Sequence, residues 1–186
     1  THRRPPQRRD LVTSMNLINN YKGHSSVEYI FEYSDSDSFD NLDFNKCTQV
    51  YGVCFYGDKI VIGYGGAKKS WGLIGGTIEK GETFEQTLVR EIQEESNMKV
   101  LSFLPIGYQK VIDTRDNSFY YQLRYVCLVQ PYGPFVSDPA LSVTEIKLID
   151  PKEYKQYFDW GSIGDRIIER ALELKPKHRK SARVKT

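Results

Sequence analysis

Three glutamates, Glu91, Glu94 and Glu95, crowd the run Arg90-Glu91-Ile92-Gln93-Glu94-Glu95. At 100° per residue on a helix, Glu95 falls near 40° and Glu94 near −60° from Glu91, so the carboxylates share an arc of roughly 100°. Leu88, Ile92 and Val89 lie at about 60°, 100° and 160° and form an adjacent apolar stripe. Such a helix buries one side and aims its acids along the rim. Like charges this close repel and raise one another's pKa. A hard divalent cation removes the conflict, and oxygen-only ligands suit Mg2+ or Mn2+. A charge run can also be a plain solvated helix face. Here a glycine-rich lead-in and Glu82 stand in register with the helix, which favours the metal-site reading.

Gly76, Glu82, Arg90, Glu91, Ile92, Glu94, Glu95 and Met98 match the spacing G-x5-E-x7-R-E-U-x-E-E-x-G-U, where U is a bulky aliphatic. The stretch 76–98 resembles the Nudix box. It departs at Asn97, where the family has Gly; that position calls for a left-handed backbone just past the helix, and Asn tolerates it better than most residues. Trp71-Gly72-Leu73-Ile74-Gly75-Gly76 is similar to the family's W-x-L-P-G-G, with Ile74 replacing Pro. The resemblance covers 23 of 186 residues.

The resemblance implies an enzyme that cleaves the pyrophosphate linkage of a nucleoside diphosphate joined to another group, with Mg2+ or Mn2+ as cofactor. It implies Glu94 and Glu95 as metal ligands and Glu91 as ligand and base. Glu82 is a further ligand, and the backbone carbonyl of Gly75 completes the site. Arg90 positions Glu82 or Glu91 by a charge-assisted hydrogen bond. Asp138 and Glu145 are candidates for a further carboxylate. The resemblance also leaves two other readings open: a nucleotide- or ADP-ribose-binding sensor without catalysis, and a pyrophosphohydrolase acting on RNA 5′ ends. The intact carboxylates favour catalysis.

Thr83 and Gln86 form a capping box that starts the helix. Gly57-Asp58 between 48–56 and 59–64 reads as a hairpin turn. Residues 27–33, 99–113 (interrupted at Pro105-Ile106-Gly107), 119–130 and 145–149 read as strands, and 65–70 as a loop. Asp150-Pro151 begins a short helix, and Ser162 and Asp165 are expected to cap a last one carrying Ile163, Ile167, Ala171 and Leu174. The expected fold is α/β, an α/β/α sandwich with a mixed β-sheet between helices. Strand alternation puts Tyr120, Gln122 and Arg124 on one face of 119–130 and Tyr121, Leu123 and Tyr125 on the other. The first face is expected to meet substrate. Lys69 and Trp71 join it as substrate-binding candidates, with Tyr51, Phe55, Tyr108, Tyr121 and Tyr125 as further stacking groups and Lys68 as a further phosphate group. The markers that would name a particular nucleotide do not appear.

The net charge of +2 hides a split. Residues 1–10 and 175–186 hold ten bases and one acid, leaving 16 bases and 23 acids, about −7, on the rest. Basic segments 1–14 and 176–186 read as disordered, flanking a catalytic domain at 15–175. They are compatible with RNA without favouring it; the expected partner is a small nucleotide, and a homodimer stays open. Three cysteines with no C-x-x-C fit reduced thiols in a cytoplasmic protein. No apolar run is long enough to span a membrane. His2, His24 and His178 stand beside no nucleophile, which argues against Ser-His, Cys-His and zinc-His chemistry.

Overall fold

A computed structural model describes residues 17–22, 27–66, 69–137, 140 and 142–183. The elements are β1 (Leu17–Lys22), β2 (Glu28–Asp35), β3 (Cys47–Tyr56), β4 (Lys59–Gly65), β5 (Ser70–Gly72), β6 (Ile74–Thr77), α1 (Phe84–Ser96), β7 (Met98–Asp113), β8 (Phe119–Pro131), β9 (Glu145–Ile149) and α2 (Gly161–Arg183). The strands form one mixed sheet in the order β1-β2-β7-β8-β3-β4-β5, with β6 beside β3 and β9 beside β4. The pair β3/β8 is parallel, and the other pairs are antiparallel.

Alternation along the central strands divides the interior into two cores. Val50, Cys54, Leu123, Tyr125 and Cys127 pack with Leu88 and Ile92 of α1. Val53, Phe55 and Val126 pack with Ile163, Ile167, Ala171 and Leu174 of α2. The sheet therefore lies between helices, as expected. Leu88 and Ile92 are fully buried, but Val89 is 39% exposed. It sits furthest round from the sheet-facing pair, so the apolar stripe is narrower than its sequence suggests. All three cysteines are buried and free of disulfides. No helix among the described residues is long and apolar enough to cross a membrane.

A fork in the sheet places the site. The last residues of β3 pair with the start of β4, whereas Gln49–Gly52 of the same edge pair with β6 and Gly63–Gly65 of β4 pair with β5. The strands β3 and β4 thus diverge, and β5 and β6 fill the gap with Leu73 between them. The segment expected to lead as a loop into Trp71 ends in a strand, because its backbone pairs even where side chains are small. The interruption in β7 is a bulge: register shifts between Pro105 and Gly107, and Ile106 between them is fully buried.

Other expectations are corrected. α2 is not capped by Ser162 or Asp165. Asp159 accepts the Gly161 N–H, while Asp165 accepts from Tyr154 and Lys155. α2 runs from Gly161 to Arg183. Strand β1 pairs with β2 at the sheet edge, although its polar sequence carries no strand signal. Residues 1–14, Lys68 and Asp138 lie outside the described residues.

Candidate active site on β6 and α1

The helix α1 begins where its sequence says. Thr83 accepts from the Gln86 N–H at 3.1 Å and Gln86 accepts from the Thr83 N–H at 2.9 Å, a reciprocal cap contributing about 1 kcal/mol. It ends at Asn97, with φ 53 and ψ 39 in the left-handed region; the Asn97 side chain donates to Pro134 O at 2.8 Å. Tyr125, fully buried on β8, donates to Glu85 at 3.1 Å and ties the first turn to the sheet.

Two glycines let the helix acids lie against β6. A Cβ on Gly76 would stand 2.6 Å from the Glu91 carboxyl carbon, so that carboxylate rests directly on the backbone. Gly75 has φ 151, and a Cβ there would meet Val50 O at 2.1 Å and the Tyr51 ring at 2.9 Å. Its N–H donates to Glu95 Oε2 at 2.9 Å. Glu95 is therefore turned inward, 8% exposed, whereas the Glu94 side chain is 47% exposed.

Arg90 gathers the remaining acids. Its Nε donates to Glu82 at 2.7 Å, and its terminal nitrogens to Glu82 at 3.0 Å, Glu91 at 2.9 Å, Glu94 at 3.1 Å and Thr77 O at 3.1 Å. Sequence reasoning gave it Glu82 or Glu91; it holds both and Glu94 as well. Thr87 also donates to Glu82, at 2.6 Å. The Arg90 hydrogen bonds, then Thr87, hold the Glu82 carboxyl down at about 2, and the same carboxylates hold the Arg90 guanidinium well above its usual range.

The donor set fits a hard divalent cation: every side-chain group is an oxygen, and Glu79, Glu82, Glu91, Glu94 and Glu95 stand with one guanidinium. Among the described residues no three acids converge on one point in this arrangement. Arg90 spreads Glu82, Glu91 and Glu94 around itself, and Gly75 holds Glu95 apart. An open groove of about 750 Å³ runs along α1 past Arg90 and Glu94, bounded by Val136 and Ser137.

The opposite face of the sheet carries Tyr120, Gln122 and Arg124 together, as expected from alternation. Gln122 donates to Gln49 at 2.6 Å and accepts from Gln109 and Arg124, each at 2.9 Å. The Arg124 guanidinium lies 4.8 Å from the Tyr51 ring centroid. Gln49 and Gln109 were not among the sequence candidates; period-2 alternation joins Gln49 to Tyr51, but the pairing across strands needs the register. Trp71 is elsewhere. It lies on β5 among Tyr64, Tyr157 and the Lys147 ammonium, two strands beyond β3 in the sheet order. Lys69 is exposed in the turn before β5, with φ 46. Glu145 is exposed on β9, opposite Tyr64.

A family model described as NUDIX domain matches residues 50–171. No curated protein matches the sequence. Solved structures with this fold include the pyrophosphohydrolase BsRppH of Bacillus subtilis, at 15% identity and TM-score 0.63 over 83% of this chain and 96% of that one. A NUDIX hydrolase from Nitrosomonas europaea is 17% identical, with TM-score 0.57 over 69% and 90%. A MutT NUDIX hydrolase from Burkholderia pseudomallei is 14% identical, with TM-score 0.51 over 66% and 95%. At these identities the solved structures speak for the fold, and the match over most of the chain speaks for the family: the chain belongs to the NUDIX family of hydrolases acting on anhydrides.

Proposed function

We propose that the chain hydrolyses the pyrophosphate bond of a nucleoside diphosphate linked to a further group, with a divalent metal as cofactor. The observation that carries this reading is the Arg90 cluster lying against Gly75 and Gly76. It gathers four acids around one guanidinium, with Glu95 beside them on the Gly75 N–H, where the missing Gly76 side chain leaves the backbone open to Glu91. Glu91, Glu94 and Glu95, with Glu82 and the Gly75 carbonyl, would hold Mg2+ or Mn2+, which supplies charge screening of the phosphates and acidifies water. Water oxygen attacks phosphorus, the bridging P–O bond breaks, and the bridging oxygen leaves on the second phosphate. Glu91 accepts the water proton. Arg90, 2.9 Å from Glu91 Oε1, holds that carboxylate in place without reacting.

The test is a panel of nucleoside triphosphates, ADP-ribose, nucleotide sugars, dinucleoside polyphosphates and 5′-triphosphate RNA, with Mg2+ or Mn2+ and detection of released phosphate or pyrophosphate. At least one member is turned over by the wild type and orders of magnitude more slowly by Glu95→Gln. Binding of panel members without turnover by the wild type would instead make the chain a sensor.

A further inference from the structure

Two registers cross the sheet toward β6. Gln109, Gln122, Gln49 and Thr77 are successive partners on β7, β8, β3 and β6. Beside them run Gly107, Arg124, Tyr51 and Gly75. Both rows end on the strand that carries the acid cluster, through Thr77 O to Arg90 and Gly75 N–H to Glu95.

Arg124 is out of place as a structural residue. It is 4% exposed, and its recorded hydrogen bonds go to neutral oxygens, Leu123 O at 3.3 Å and Gln122 Oε1 at 2.9 Å. Its Nε–H is buried without a hydrogen-bond partner among the described residues. Burial pushes its pKa down, and the groups that oppose this are tyrosines, not carboxylates. A single cation–π contact with Tyr51 is weaker than the desolvation it would have to offset, and an apolar residue would pack this position at lower cost. What Arg124 supplies is direction. A guanidinium only donates, so Gln122 must turn its oxygen toward it and its nitrogen toward Gln49. Gln49 then accepts with its oxygen, and its amide nitrogen becomes the outward end of the row. Gln49 is half-buried, as are Tyr51, Tyr120 and Gln122, so this end of the face is open enough for a ligand.

We propose that the Gln49–Gln122–Gln109 row is the hydrogen-bonding surface that reads the nucleobase of the substrate. Gln49 donates to an acceptor on the base edge, and Arg124 is the positioning residue that sets the donor direction. The inference rests on the proposed activity for where the phosphates lie, one strand away at β6. It assigns the polar face opposite α1 to recognition and leaves chemistry to the acid cluster. Tyr51 joins the two regions, since a Cβ on Gly75 would stand 2.9 Å from its ring and the Arg124 guanidinium lies 4.8 Å from its centroid.

The test measures equilibrium binding of the four nucleoside monophosphates and of ribose 5-phosphate, without metal, to wild type, Gln49→Glu, Gln49→Leu and Arg124→Lys. Wild type should bind at least one nucleoside monophosphate about tenfold more tightly than ribose 5-phosphate, the size of one net hydrogen bond. Both Gln49 variants should collapse that ratio; the ratio cancels the charge that Gln49→Glu adds. Arg124→Lys should weaken it, and should Arg124→Lys fail to fold, the half-exposed Gln49 variants carry the test. Equal affinity for all five ligands, or a ratio that survives both Gln49 changes, overturns the inference. The panel assay separates the two proposals: turnover without base preference overturns this one alone, and base preference without turnover overturns the activity alone.

Discussion

Two arginines in this molecule each gather several carboxylates, four around Arg90 and three around Arg166, with nearly equal side-chain exposure, 22% and 21%. Arg166 on α2 binds Asp35 of β2, Glu169 and Glu173, and neighbouring Arg170 binds Asp37 and Glu173. Four acids there share two cations. At α1 and the turn before it, Glu79, Glu82, Glu91 and Glu94 share Arg90, and Glu95 lies beside them on the Gly75 N–H. The second difference lies behind the charges. Gly76 brings Glu91 onto bare backbone and the Gly75 N–H holds Glu95, whereas Arg166 ties two elements 131 residues apart. An arginine hub is therefore no mark of a site. Surplus negative charge against a backbone without side chains is what distinguishes the α1 cluster, and the Arg166 network is a strap.

The largest expected effect breaks the comparison most sharply. Glu91→Gln keeps the shape of the side chain and a hydrogen-bond acceptor for Arg90 while removing the proposed base. Turnover of the panel substrate should fall about 1000-fold with the melting temperature held. Asp35→Asn, the matching change in the strap, should leave turnover within about threefold, a barrier change of about 0.65 kcal/mol. Equal losses from both variants would erase the distinction. Next in size is Gly76→Ala. Its Cβ would sit 2.6 Å from the Glu91 carboxyl carbon, and displacing a catalytic group by about 1 Å can cost about 100-fold. Steady-state kinetics should show the loss in kcat with the circular dichroism spectrum retained.

Arg166→Met moves the other way. It leaves Asp35, 17% exposed at the side chain, without its guanidinium, and should cost about 1–3 kcal/mol of unfolding free energy in urea titration with little change in turnover per folded molecule. The smallest effect concerns pH. The Glu82 carboxyl is held at about 2, first by Arg90, against an ordinary 4.5. A depressed carboxyl adds stability that is fully present above 4.5 and is lost as pH falls toward 2. The melting-temperature gap between wild type and Glu82→Gln should therefore be constant above pH 5 and close between pH 4.5 and 2. A gap that persists at pH 2 would show that Glu82 is not held by its charge.

What the sequence made legible was local. The capping box, the left-handed Asn97, the Gly57 turn and the alternation of Tyr120, Gln122 and Arg124 all depend on neighbours a few residues away, and each is seen in the fold. β5 and β6 were read only as a lead-in, since their glycines pair through backbone and carry no apolar period. The polar β1 was missed because Asn19 and Asn20 leave it no apolar alternation. The acids' shared arc was correct as helical geometry, but it gave no hint that Gly75 would turn Glu95 inward or that Arg90 would separate the others. Those facts depend on how β6 meets α1 across the fork. The glutamine row was invisible because Gln49, Gln109 and Gln122 come from three strands and meet only through their register.

Metal dependence is the decisive property of the α1 cluster, because its surplus acid can serve as a catalytic centre only with a cation. Turnover of the panel substrate is measured as purified, in excess EDTA, and after returning Mg2+ or Mn2+. Hydrolysis should vanish in chelator and return with either ion, while the melting temperature in EDTA stays that of a folded protein. Full turnover in EDTA would contradict it.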